Sequence, residues 1–244
     1  MNSFIKRLFD IVSSGILLVL ISPLLIIISI GIIIDSKGPI LFKQERRTKN
    51  GRIFIIYKFR SMIVNAEKVG TGLFNYENDY RITKIGRILR STSLDELPQL
   101  INILKGDMSV VGPRPCVTFE LGDYETLNTK FKKRFQVKAG LTGWAQVKGR
   151  NNISWLNKVS YDNEYVDLLA RRGIFIDIHI LVLSLIKVFK KENLYENKIN
   201  ENISDEESAI IQEREIIRIA HLTDEELEIY ENNSRNNTIE SRII

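Results

Sequence analysis

Residues 11–34 form an uncharged run of 24, rich in Ile, Leu and Val. A helix of that length reaches across a bilayer core. It is longer than a signal-peptide core, and no small-residue cleavage site follows it. The sequence therefore predicts a permanent N-terminal anchor. Two features complicate a simple crossing. Lys6 and Arg7 precede the run, and Lys37, Lys43, Arg46, Arg47 and Lys49 follow it, so positive charge on both flanks defines no inside. Ser22-Pro23 stands at its middle. Pro23 cannot donate to the Val19 carbonyl and its ring clashes there, which kinks the helix. The residues leave two topologies open: a spanning helix that tolerates its proline, or a helix that dips in and returns to the same face. Asp10 is expected near the headgroups in both.

The chain of 244 residues suffices for one ordinary domain plus an appendage. Its single cysteine, Cys116, excludes an intramolecular disulfide and fits a reducing, cytoplasm-facing setting. Two histidines and one cysteine do not make a zinc site of the usual kind. Any metal is expected to be a hard cation on carboxylates and phosphate oxygens. The net charge of +5 hides an asymmetry, because residues 192–244 carry 14 Asp/Glu against 5 Lys/Arg. Residues 1–191 are correspondingly basic. That body suits polyanionic partners such as anionic lipid, nucleic acid or nucleotide and phosphate ligands. The acidic tail reads as a separate segment with a different job.

Gly38-Pro39 signals a turn. The apolar runs at 40–42 and 53–57 flank Thr48-Lys49-Asn50-Gly51, and the Asn-Gly pair predicts a β-hairpin. A helix is expected near 61–68 and a loop over 70–78. Arg81, Lys84, Arg87 and Arg90 recur every third position, with Ile82, Ile85, Ile88 and Leu89 opposite. That pattern predicts a basic amphipathic helix, suited to a membrane surface or to anions, or else an ordinary solvated face. Another helix is expected over 93–104, stopped by Lys105-Gly106. Gly112-Pro113-Arg114-Pro115 is a stiff extended turn, and 140–150 reads as a loop. Residues 174–191 are helical with basic residues at the end, as the helix dipole favours. The apolar stretch inside it is too short to span, and lies in an interface or in the core. In the tail, Ile210-Ile211, Ile216-Ile217, Ile219 and Leu222 suggest a helix, and Thr223 to Glu226 has capping-box spacing.

The most informative local stretch is Ser93-Leu94-Asp95-Glu96-Leu97-Pro98-Gln99-Leu100. Two adjacent acids lie beside a basic helix, with Arg114 nearby in sequence. A carboxylate can attack a phosphoryl group to give an acyl phosphate. Such attack needs converging cations, Arg side chains and Mg2+. The plainer reading is a capping box from Ser93 to Glu96, with acids favoured in a first helical turn. Pro98 weakens it, because a helix capped at Ser93 would need the N–H that Pro98 lacks.

Seven motifs in order carry a resemblance: Lys6-Arg7-Leu8-Phe9-Asp10, Ser22-Pro23, Tyr57-Lys58-Phe59-Arg60-Ser61-Met62, Arg90 through Leu100, Lys105-Gly106-Asp107-Met108-Ser109, Val111-Gly112-Pro113-Arg114-Pro115, and Gly143-Trp144-Ala145-Gln146-Val147 with Gly149-Arg150. From Lys6 to about Lys191 the chain resembles the bacterial sugar transferases, the monotopic phosphoglycosyl transferases. The resemblance implies a mostly helical α/β protein. Residues 1–36 would be a re-entrant membrane helix broken at Ser22-Pro23, 37–191 a catalytic domain on the cytoplasmic face of the bacterial inner membrane, and 192–244 an acidic, partly helical extension. A short β-hairpin and interfacial amphipathic helices would surround an active site at the membrane surface.

The implied reaction is Mg2+-dependent and ping-pong. Asp95 would attack the β-phosphate of a UDP-sugar and release UMP, and a polyprenyl (undecaprenyl) phosphate would then take the sugar phosphate from Asp95. Glu96 would bind Mg2+ alongside Asp95 or assist proton transfer. Arg90 and Arg114 match phosphate-binding positions, Lys58 and Arg60 match a basic motif close to the active site, and Gln146 and Arg150 are further candidates for the phosphates. Partners would be the UDP-sugar, the polyprenyl phosphate and membrane lipid, with a second copy or pathway glycosyltransferases as protein partners. Lys138-Ala139-Gly140 departs from the family's usual Arg-Pro-Gly. Tyr161-Asp162-Asn163-Glu164-Tyr165 replaces a more apolar segment. With the apolar run so near residue 1, the sequence reads as the family's short form. The competing reading is a non-enzymatic anchored protein whose basic body binds anionic lipid or nucleic acid, though a carboxylate pair among its cations would repel nucleic acid.

Overall fold

The computed structural model describes residues 3–74, 76, 79–149, 153–190 and 204–240. The apolar run forms two helices, α1 (Ser3–Leu20) and α2 (Ser22–Asp35), bent by 63°. The break falls where Pro23 withholds its donor. Ser22 Oγ supplies one instead, donating to the Val19 carbonyl at 2.8 Å. Among the described residues no single helix is long and apolar enough to cross a membrane. Large apolar side chains lie exposed along both arms, among them Phe4, Leu20, Ile27 and Ile34.

The antiparallel pair β1 (Leu41–Arg47) and β2 (Ile53–Phe59) runs in register from Leu41↔Phe59 to Arg47↔Ile53. Asn50 and Gly51 turn the chain at φ 56° and 72°, the left-handed region that glycine, lacking a Cβ, and asparagine adopt most readily. The expected helix over 61–68 does not form, and only a single 3-10 turn, Ala66–Lys68, is present. Extended backbone pairing wins there: Thr83 N–H donates to the Ser61 carbonyl, and Met62 bridges Ile82.

Helix α3 (Lys84–Thr92) is shorter than the basic periodicity predicts. Thr83 caps it, accepting from Gly86 N–H. Arg81 lies before the helix and is buried. Its guanidinium pairs with Asp79 at 2.6 Å and donates to the Ala66, Val69, Gly72 and Phe74 carbonyls. It ties the 66–79 loop together rather than facing a surface.

After α3 come α4 (Gln99–Lys105), β3 (Ser109–Val111), α5 (Thr129–Lys133), β4 (Gly140–Thr142), α6 (Trp144–Lys148), α7 (Trp155–Arg172), α8 (Ile174–Lys190), α9 (Asp205–Ala220) and α10 (Asp224–Glu240). The segment read as a loop over 140–150 thus contains a strand and a short helix. β3 and β4 pair in parallel, Ser109↔Gly140 and Val111↔Thr142. A Cβ on Gly140 would lie 2.1 Å from Gly112 N, so both chains cross there only as glycine.

The first half of α1 is fastened to this body. Arg7 donates to the Ile103 and Leu104 carbonyls at the end of α4, at 2.6 and 2.7 Å. Lys6 reaches the Val111 carbonyl and Asp177. Asp10 is buried, accepting from Ser109 Oγ and Val110 N–H. Asp10 Oδ1 is thus spent on a hydroxyl and a backbone N–H inside the protein.

One core cluster joins Phe54, Ile56, Leu100, Ile103, Val111, Tyr165 and Ile180. α8 contributes Ile176 and Ile180, while its Val182 and Leu185 are exposed, so one face packs in the core. A second cluster joins Leu121, Leu127, Phe131 and Val159 to Ile216, Ile219 and Leu227 of the tail. Ser204–Glu207 and Thr223–Glu226 form capping boxes at the two tail helices. Asn128 N–H donates to the Ala220 carbonyl, and Lys130 pairs with Glu231. The tail helices are therefore packed against the body, not separate from it.

Candidate active site

The Asp95-Glu96 pair sits on a one-turn 3-10 helix, Leu94–Glu96, between α3 and α4. Ser93 enters it at φ 58°, and its own N–H closes α3 on the Leu89 and Arg90 carbonyls. Ser93 makes no side-chain cap, so the capping-box reading fails. The left-handed residue turns the chain, and Pro98 begins α4 only after the acids.

Asn102 fixes this turn against the hairpin. Its Oδ1 accepts from Tyr57 N–H at 3.0 Å and its Nδ2 donates to the Ile55 carbonyl at 2.7 Å. The side-chain amide thus satisfies the outer edge of β2 as a neighbouring strand would. Lys58, next along β2, is thereby set beside Glu96. Lys58 Nζ lies 3.0 Å and Arg114 Nη2 lies 2.9 Å from the same atom, Glu96 Oε1. Arg114 arrives from the Pro-rich turn after β3.

Asp95, 8 % exposed, borders a cavity of about 620 Å³ together with Lys58, Arg90, Glu96, Arg114 and Gln146. That volume falls in the range of small-molecule sites, roughly 300–1,000 Å³. Burial first, and the Glu96 charge second, push the Asp95 carboxyl above its ordinary value; Lys58, Arg90 and Arg114 oppose without cancelling. Burial would raise Glu96 too, but Arg114 and Lys58 outweigh it and hold its carboxyl well below the carboxylate range. Burial lowers the Lys58 ammonium, with Glu96 opposing. The two adjacent acids are thus pushed apart: two cations hold the Glu96 carboxyl low, while burial and the Glu96 charge make Asp95 the more basic of the pair.

The other sequence candidates divide. Arg90, in the last turn of α3, borders the cavity with Nη1 3.4 Å from Ser61 Oγ. Arg60 also borders it, but its guanidinium donates to the Lys37, Ile32 and Ser36 carbonyls and so caps α2. Arg60 fastens the second arm of the bent pair to β2. Gln146 donates from Nε2 to the Leu141 carbonyl at 3.1 Å. Arg150 lies outside the described residues.

A family model described as bacterial sugar transferase matches residues 1–191. The chain belongs to the bacterial sugar transferase family. This sugar transferase is 44% identical over 199 residues to the UDP-glucose:undecaprenyl-phosphate glucose-1-phosphate transferase of Klebsiella pneumoniae, covering 80% of this chain and 42% of that protein. It is 42% identical over 192 residues to EpsL, an uncharacterized sugar transferase of Bacillus subtilis, covering 78% of this chain and 90% of EpsL. The undecaprenyl-phosphate galactose phosphotransferase of Salmonella typhimurium is 39% identical over 208 residues, covering 80% of this chain and 42% of that protein. The chain thus spans less than half of the Klebsiella and Salmonella relatives and nearly all of EpsL.

Among the described residues of this sugar transferase, no cluster of three or more His, Cys, Asp or Glu is placed to hold a metal. Its donor set is the carboxylate pair Asp95 and Glu96. That set fits Mg2+, which is commonly held by one or two carboxylates plus substrate phosphates.

Sequence reasoning missed Arg134 and Asp162. They form a buried pair at 2.9 Å on the cavity wall. Arg134 Nη2 also donates to the Arg114 carbonyl at 2.8 Å, fixing the backbone of a cavity cation. In the sequence Arg134 ends a basic run, Lys130 to Arg134, and nothing local separates it from its solvated neighbours.

Proposed function

We propose that this protein transfers a sugar 1-phosphate from a UDP-sugar to a polyprenyl phosphate, with Asp95 as the nucleophile. The observation that carries the reading is Asp95, held basic at a nucleotide-sized cavity ringed by Lys58, Arg90 and Arg114. Family membership and the names of the relatives support the substrate classes.

An Asp95 oxygen forms a bond to the β-phosphorus. The bond from that phosphorus to the bridging oxygen breaks, and UMP leaves with the oxygen and its electron pair. A phosphate oxygen of the acceptor then attacks the same phosphorus and returns Asp95 as a carboxylate. Arg90 and Arg114 offset the charge that gathers on phosphate oxygens in both steps. Glu96 holds Lys58 and Arg114 in place before substrate arrives, so little reorganisation is needed. Mg2+, held by Asp95 and Glu96 with the diphosphate, would supply further charge neutralisation.

In this reading the bent α1–α2 pair is a re-entrant anchor in the bacterial inner membrane, with the site on the cytoplasmic face. The exposed apolar side chains of both arms support it, since contiguous apolar surface of this kind marks a membrane or protein contact. It also puts an acceptor with a lipid tail within reach of a phosphate site.

The test is UMP release from a panel of UDP-sugars, with mass spectrometry for a phosphosugar adduct. Wild type should release UMP and carry the adduct on Asp95; Asp95→Asn should do neither. Normal turnover by Asp95→Asn would refute the mechanism.

A further inference from the structure

We propose that Arg134, Asp162 and Gln146 form a hydroxyl-recognising subsite that binds a diol of the nucleotide-sugar donor, away from its phosphates. The inference rests on the sugar-phosphate transfer reading and specifies its donor site.

All three residues border the same cavity as Asp95. Arg134 and Asp162 are 3 % and 2 % exposed, yet their hydrogen bonding is incomplete. Arg134 spends Nη2 on Asp162 Oδ2 and on the Arg114 carbonyl. Its Nε and Nη1, together with Asp162 Oδ1 and Gln146 Oε1, are buried without a partner. Buried polar atoms in that state cost free energy unless something satisfies them. Four such atoms on three residues that line one cavity point to a ligand of complementary polarity. The guanidinium is fixed in place, 5.2 Å from the Trp155 ring centroid and 5.5 Å from that of Phe135.

The polarity selects the ligand. Gln146 Nε2 donates to the Leu141 carbonyl, an acceptor only, so its orientation is set and Oε1 is the atom left over. Asp162 Oδ1 and Gln146 Oε1 both accept, and acceptors repel phosphate oxygens. A hydroxyl is different: it donates to an acceptor and accepts from the Arg134 fork at once. The polyprenyl acceptor carries a phosphate on a hydrocarbon tail and has no hydroxyl. The donor has two sources, the ribose and the hexose. Burial pushes the Asp162 carboxyl up to about 6 although Arg134 opposes it. A carboxylate in that condition is short of donors, and a substrate hydroxyl supplies one.

Donor binding measured by titration calorimetry in an Asp95→Asn background, where the first chemical step is blocked and which serves as the wild-type reference, tests this with UDP-glucose, UDP-galactose and UMP as probes. Asp162→Asn should weaken binding of the preferred UDP-sugar by about 10- to 100-fold, the scale of a hydrogen bond to a charged group. Gln146→Ala, outside the buried ion pair and so a safer fold, should weaken it about 5-fold or more. If UMP weakens in parallel, the hydroxyls are those of the ribose. If UMP affinity holds while the UDP-sugar weakens, they are those of the hexose. Either result supports the subsite. Native-like melting of both variants with affinities for all three probes within twofold of wild type would overturn it. That result leaves the transferase reading standing, which fails separately if wild type binds donor but releases no UMP.

Discussion

Arg114 and Lys58 meet on one oxygen, Glu96 Oε1, at 2.9 and 3.0 Å. Neither cation touches that atom by sequence proximity: one comes from the turn after β3 and the other from β2. Glu96 is therefore the fixed point through which two distant segments are aimed at the cavity. Arg114→Ala should lower kcat/KM for UMP release by about 10²–10³-fold, as loss of one electrostatic donor commonly does. Arg114→Lys should recover only part, since an ammonium lacks the planar fork. Arg114 and Lys58 share a partner, so their losses should not add. A double-mutant cycle showing strict additivity would argue against this arrangement.

The pH profile follows from Asp95. In the proposed mechanism attack needs the Asp95 carboxylate, and its folded pKa is raised by burial and then by Glu96. Activity is therefore lost as pH falls through that raised value, which lies above the ordinary aspartate value of about 3.9. The acid limb should move in two directions. Glu96→Gln removes a raising charge and should shift it down. Lys58→Met removes a lowering charge and should shift it up. Profiles of kcat/KM for the three proteins check both signs, and a limb that ignores either substitution would dissociate it from Asp95.

Asn102 should prove a stability residue with a catalytic consequence. It is fully buried and holds the Tyr57 N–H and the Ile55 carbonyl. Asn102→Leu keeps the volume but leaves two backbone groups buried without partners. The cost should be about 2–4 kcal/mol, or roughly 5–15 °C in Tm. Surviving folded protein should also turn over more slowly, because Lys58 directly follows Tyr57 on β2. A Tm within 2 °C of wild type, taking roughly 2–4 °C per kcal/mol, would show that water replaces the amide.

Much of the scaffold was legible in the sequence because local chemistry decided it. Pro23 fixes the break between α1 and α2, Asn50-Gly51 the hairpin, and Thr223 and Glu226 the start of α10. Residues 61–68 were misread because their backbone pairs with residues 82–83, a partner that no local propensity reveals. Arg81 fits a helical stripe by spacing, yet Asp79 and four loop carbonyls bury it. Asp95, Glu96, Lys58, Arg90, Arg114 and Gln146 do border one cavity, and the ordered motifs carried that expectation. Arg134 and Asp162 stayed hidden because an ion pair formed 28 positions apart leaves no periodic trace.

The acidic tail, which reads from sequence as a separate segment, should be costly to remove. Ile216, Ile219 and Leu227 are buried against Leu121, Leu127 and Phe131. The same 116–135 stretch carries Arg134 to the cavity. Ile219→Ala should cost about 2–4 kcal/mol. Deleting residues 204–244 should lower Tm further, expose apolar surface to a hydrophobic dye and reduce UMP release. A truncation with unchanged Tm and turnover would show that the helices rest on the body without supporting it.

Cys116 makes the topology directly testable. It is buried, and burial pushes its thiol up to about 11. Reaction with a maleimide needs an accessible thiolate, so the native protein should label negligibly although this is its only cysteine. Single cysteines at Ser3 and Lys37 can then be added to the unmodified background, one before and one after the bent pair. In oriented inner-membrane vesicles a re-entrant anchor should give both positions the same sidedness toward an impermeant maleimide. Labelling from opposite sides would mean that the 63° bend straightens or tilts into a crossing, and the site would then need a different route to its lipid acceptor.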